Sequence, residues 1–222
     1  MTTKTILFIA LGIVSFGVSL LVKKNKDQSN TTRKRMLAKV NQAKNIEKFR
    51  NSKDFQHPIS SAIFNLLENF DVHDGVGKKL NDEEIKAIEN KLQLDLPTSY
   101  KIFLKHFGDG GNWVFSQYID SIQNFSWLSN YRNDFSETIE LDGGKLLKVN
   151  SLLCLMTEDS NGGAWCWLTS EKDTNGEWEL AYYMDNKLHY KVLNFTEWLN
   201  ILTKEGVEVI RELDLEETLG LG

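Results

Sequence analysis

Residues 92–111 read LQLDLPTSYKIFLKHFGDGG, and the way this stretch folds sets the plan of the chain. Pro97 fixes its own φ and lacks an N–H, which suits the start of a helix, where that donor has no intrahelical acceptor. Beyond it Tyr100, Phe103, Leu104 and Phe107 recur at the spacing of one helical face, so the stretch predicts a helix with an aromatic stripe turned toward a core. Gly108, Asp109, Gly110 and Gly111 end it, because a helix does not continue through three glycines in four residues.

Upstream, Asn81 with Glu84 three residues on is a capping-box signature, and Ile85, Ile88 and Leu92 then share a face. Ile59, Ile63, Leu66, Leu67 and Phe70 show the same period behind Pro58. Downstream of Asn112 the pattern changes to short aromatic and branched runs separated by turn residues, the signal of strands. The candidates are residues 138–141, 145–149, 152–157, 164–169, 177–184 and 187–193. One hairpin turns through EDSNGG, residues 158–163, and another across Asp185 and Asn186. Residues 127–135 read as an inserted helix or a loop. Phe195, Trp198, Leu199 and Leu202 return to helical spacing, and a separate acidic helix is expected from about Val207. Helices, then an antiparallel β-sheet meander, then C-terminal helices make an α+β domain.

The N-terminus is different. The run ILFIALGIVSFGVSLLV, from Ile6 to Val22, carries no charge, with Lys4 before it and Lys23, Lys24 and Lys26 after it. At 1.5 Å per residue it spans about 26 Å, enough for a membrane helix whose flanking lysines reach the interface. A cleaved signal would be shorter and end in small residues, so the reading is an uncleaved single-pass anchor. The basic bias on its C-terminal side places the remainder of the chain in the cytoplasm. The resulting division is a short N-terminus (1–5), a transmembrane helix (6–22), a basic juxtamembrane linker with a helix toward its end (23–57), a globular domain (58–216) and a tail (217–222).

Charge follows the same boundary. Residues 1–50 hold 11 Lys/Arg against two acidic residues, whereas residues 51–222 hold 15 against 29, a net of −14. An acidic surface repels phosphate backbones, which argues against nucleic acid as a partner. Cys154 and Cys166 are the only cysteines, too few for a disulfide framework or a multi-cysteine zinc site, and are read as buried free thiols. The histidines (His57, His73, His106, His189) are scattered without ligand spacing. No nucleophile elbow or phosphate loop is present: HDGVG, residues 73–77, lacks a third glycine and follows no strand. The reading is therefore of no catalytic residues, no cofactor and no metal.

Three stretches together resemble the SUKH superfamily of Smi/Knr-like domains, which includes fungal cell-wall regulators and bacterial immunity proteins. They are Glu89 with Leu96, Pro97, Tyr100, Phe103, Leu104, Gly110 and Gly111; the hairpin of residues 151–173 with Gly162 and Gly163; and the closing LNFTEWLNIL with Phe195 and Trp198. The usual Gly-Asp of that hairpin is replaced here, since Ala164 and Trp165 follow the glycines. The resemblance implies a SUKH-like α+β fold, mainly structural motif residues, and a non-enzymatic protein-interaction module. In bacteria such a module often neutralises a toxin by binding it. Trp165, Trp167, Glu158 and Asp159 are the residues singled out for contact with a protein partner, a basic toxin domain being the expected type. The alternatives are a membrane-bound scaffold or regulatory subunit unrelated to toxins and, less favoured, an enzyme with an unrecognised site.

Overall fold

The computed structural model describes residues 43–69, 77–114, 117–130, 137–141, 143–156 and 163–219. Apart from residues 43 and 44 these belong to one compact unit, Asn45–Gly222, which thus begins ahead of position 58. The proposed anchor at 6–22, together with Glu158, Asp159 and Gly162, lies outside the described residues. Among the described residues no helix is long and apolar enough to cross a membrane.

The helices are α1 (residues 43–50), α2 (Ile59–Asn69), α3 (Asp82–Leu92), α4 (Thr98–His106) and α5 (Phe195–Leu219). The signals that predicted α3 operate in the structure: the Asn81 side chain accepts from the Glu84 N–H, and the Glu84 side chain accepts from the Asn81 N–H. The C-terminal reading is corrected, because α5 runs unbroken through the point where a second helix was to begin. Gly206 is buried within the helix, and one mid-helix glycine costs only about 1 kcal/mol relative to Ala. At the other end Phe49 is fully buried, and His106 Nε2 lies 2.9 Å from Asp54 Oδ2. Residues that read as linker thus pack against α4.

The strands are β1 (Gly111–Val114), β2 (Gln117–Ile119), β3 (Ser126–Trp127), β4 (Thr138–Leu141), β5 (Lys145–Lys148), β6 (Leu152–Met156), β7 (Ala164–Lys172), β8 (Trp178–Met184) and β9 (Lys187–Val192). β1 and β2 form a small hairpin, and the other strands form one sheet in the order β3-β6-β7-β8-β9-β4-β5. Here the expected meander is corrected. β6 to β9 follow one another antiparallel, but β4 lies beyond β9 and joins it in parallel, Leu141 beside Leu188. Trp127, at the start of the segment 127–135 read as an inserted helix or a loop, instead joins Ser126 in a short edge strand on β6. Across Asp185 and Asn186 the hairpin is as read, both residues having the positive φ of 50° and 60° that a tight β-turn requires.

This curled sheet has a core on each face. Trp167, Leu153, Leu155, Trp178 and Leu180 face the helices. The alternate residues Leu152, Cys154, Ala164, Cys166, Leu168 and Ala181 pack beneath Ile139, Leu141 and Leu147 of the β4–β5 hairpin. Strand alternation is thus visible, but the face turned from the helices is covered rather than open.

Candidate functional site

The family-motif residues set the frame. Glu89, 6% exposed, accepts the Leu96 N–H at Oε1 (2.9 Å), and the Lys101 ammonium lies 3.1 Å from the same oxygen. A buried carboxylate holding a backbone N–H and a cation fixes the connection from α3 to α4, and with it the place of Leu96 and Pro97, both buried. Tyr100, Phe103 and Leu104 are fully buried on α4. The Tyr100 ring packs edge-on to Trp167 (4.6 Å) and Phe195 (5.1 Å), and Phe195 stacks on Trp198 (5.5 Å). One aromatic cluster therefore ties α4, α5 and the sheet together. Burial, with Asp109 and Asp120 nearby, pushes the Tyr100 phenol well above its usual pKa.

Gly110 has φ +77°, and a Cβ there would stand 2.8 Å from the Ser121 nitrogen, so the turn into β1 needs glycine. Gly111 follows it, buried, at the head of β1. Asp109 braces the same turn, accepting from the Ile122 N–H and the Ser121 hydroxyl, each at 2.7 Å. At Gly163 a Cβ would fall 2.0 Å from the Tyr182 hydroxyl, so the glycine lets that ring lie across the hairpin.

A cleft of about 650 Å³ opens where the turn between β7 and β8 meets the first turns of α4 and α5. Its lining includes Asp173, Glu177 and Glu197, and its other residues are His57, Pro58, Thr98, Asn175, Leu193, Asn194, Thr196 and Asn200, with no Lys or Arg among the described residues that line it. Pro97, as the N-cap of α4, offers no side-chain acceptor. Glu177 supplies one: it accepts from the Ser99 N–H (2.8 Å) and hydroxyl (2.5 Å), placing a buried carboxylate at the positive end of the helix. Asp173 Oδ1 accepts from the N–H groups of Asn175 (2.8 Å) and Glu177 (2.9 Å) and shapes the turn. Glu197 Oε2 accepts from the Leu193 N–H (2.7 Å), while Asn194 Oδ1 accepts from the Glu197 N–H (2.9 Å) and caps α5. His57 Nδ1 accepts from the Ile59 N–H, which leaves Nε2 facing Glu177 Oε1 at 4.0 Å. Each carboxylate thus holds backbone and still offers lone pairs to the cleft, an arrangement that suits a cationic visitor.

Among the residues singled out for partner contact, Trp167 is corrected: it is fully buried, edge-on to Trp178 and Tyr100. Trp165 is half-buried between Tyr182 and Trp198. Cys154 and Cys166 are buried free thiols on paired strands, Sγ to Sγ 3.3 Å. Their mutual hydrogen bond and their burial hold the Cys166 thiol well above its usual pKa, the opposite of an activated nucleophile. Sequence reasoning missed the cleft. Nothing local to Glu177 indicates that it reaches Ser99, 78 residues earlier in the chain.

A helical layer on a curled mixed sheet, with its motif residues serving as braces, is consistent with a SUKH-like α+β fold. A family model described as SMI1-KNR4 cell-wall matches residues 82–199, more than half of the chain, and the protein belongs to this SUKH family. No curated protein matches the chain.

Proposed function

We propose that this chain is a non-enzymatic interaction module that holds a basic protein partner, tethered to a membrane through residues 6–22 with its domain on the cytoplasmic side. The observation that carries the reading is the cleft bearing Asp173, Glu177 and Glu197 and, among the described residues that line it, no Lys or Arg, on a region of net charge −14. Complementary charge speeds encounter and rejects acidic competitors. Family membership supports a protein partner, and toxin neutralisation is the form of it that an acidic domain facing a basic toxin would take.

Crosslinking and affinity purification of the tagged full-length protein from native membranes, beside residues 45–222 alone, test this. The same basic polypeptide is expected with both forms, released by salt. Recovery of no stable partner by either form would sink the interaction reading. Recovery by the full-length form only would transfer recognition to the N-terminal segment.

A further inference from the structure

β9 contains an irregularity that its fold does not require. Leu180 pairs with Val192 and Tyr182 with His189, so β9 has one more residue than β8 between these rungs. Within this bulge Tyr190 adopts φ +49°, in the left-handed region. Such bulges ordinarily place glycine there, since a bulky side chain is strained in left-handed backbone. Tyr190 regains little by burial, because it is 72% exposed. Its ring touches the domain only loosely, with centroids 6.4 Å from Tyr182 and 6.2 Å from His189.

The ring nevertheless stands at the end of a row of aromatics. Trp198, Trp165, Tyr182 and Tyr190 form a row from the core to the surface, with successive centroids 6.2, 5.4 and 6.4 Å apart. Three residues after Tyr190, just past the end of β9, Leu193 is 61% exposed and lines the cleft. Between them Lys191 is engaged by Glu179 at 2.9 Å, which reduces its repulsion toward a cation.

We infer that Tyr190 and Leu193 form the apolar anchor of a docking surface for an arginine- or lysine-bearing segment of a partner protein. This rests on the interaction reading above and gives it a location. Tyrosine is enriched at binding hot spots, and its face attracts guanidinium and ammonium groups. The acidic region selects a basic segment over an anionic lipid surface, which it would repel. The strain tolerated at Tyr190 in the free domain is thereby coupled to contact made in the complex.

The test titrates full-length protein in detergent with a fluorescent peptide of alternating arginine and leucine, and with its glutamate-for-arginine counterpart, by anisotropy at low salt. Tyr190→Gly removes the ring and relieves the backbone. We expect it to weaken arginine-peptide binding about tenfold while leaving the unfolding midpoint equal or higher. Tyr190→Phe should bind like the wild type. Unchanged peptide affinity in Tyr190→Gly overturns this location and leaves the interaction reading standing. Absence of arginine-peptide binding by the wild type overturns both. Phosphatidylserine-vesicle binding that requires Tyr190, without a peptide response, overturns the inference in favour of a lipid surface.

Discussion

At the scale of single residues the sequence revealed composition and spacing but not satisfaction. The stripe of Tyr100, Phe103 and Leu104 was legible from its period, yet the Tyr100 hydroxyl lies in the core without a hydrogen-bond partner among the described residues. A buried polar atom left unpaired costs more than its removal, so Tyr100→Phe should be neutral or stabilising by about 1 kcal/mol at neutral pH. The pH dependence has a definite sign. Because the folded-state pKa is raised, the folded state holds its proton where the unfolded chain, with an ordinary phenol pKa of 10.0, has lost it. That contribution is fully present below the unfolded value and lost as pH rises from there toward the folded one, at about 1.4 kcal/mol per pH unit. Urea unfolding of both proteins at neutral and alkaline pH checks this, and an alkaline loss of equal size in Tyr100→Phe would contradict it. Glu89 was legible as a motif residue, whereas its bond to the Leu96 N–H was not, because the acceptor and donor meet only when the loop closes.

Elements that carry their own punctuation were read correctly, and elements defined by distant pairing were not. α3 announces itself through Asn81 and Glu84, both halves of whose capping box form. Asn81→Ala should therefore lower stability by about 1 kcal/mol, measured as a lower midpoint in thermal or urea unfolding. Glu84→Ala should reproduce part of the loss, since Glu84 also pairs with Lys78. β3, by contrast, is two residues long and exists only because Cys154 and Leu153 are there to pair with it. β1 and β2 were missed for a different reason: they pair locally with each other around a bulge, but carry no alternation long enough to read. The separate helix expected from about Val207 shows the opposite error, a break placed where the chain continues as one helix.

For the whole molecule, the α+β order and the change from helical to strand periodicity were visible, while the route of the sheet was not. Nothing in residues 138–148 indicates that this hairpin crosses to β9 and covers the second face, and Trp167 is core for a separate reason, since it faces the helices. The candidate site was less legible than the fold. Its carboxylates come from the β7–β8 turn and the start of α5, and they meet α4 and His57 only through tertiary structure. Chain ends matter at this scale too. α2 packs on α5, and Phe195, Trp198 and Leu199 are fully or nearly fully buried in the helix-side core. Residues 45–194 alone would leave that core open, so they should appear in inclusion bodies or bind a hydrophobic dye, while residues 45–219 should remain monodisperse in gel filtration.

The parallel contact between β4 and β9 has a further consequence, for the order of events on the ribosome. Leu141 is synthesised 47 residues before its neighbour Leu188, and α5 comes later still. The β4–β5 hairpin must therefore wait beside an incomplete sheet, its apolar side uncovered, until nearly the whole chain has emerged. Closure of this domain is a late event in translation, and the nascent chain passes through an interval in which a chaperone has more surface to hold than the finished protein exposes.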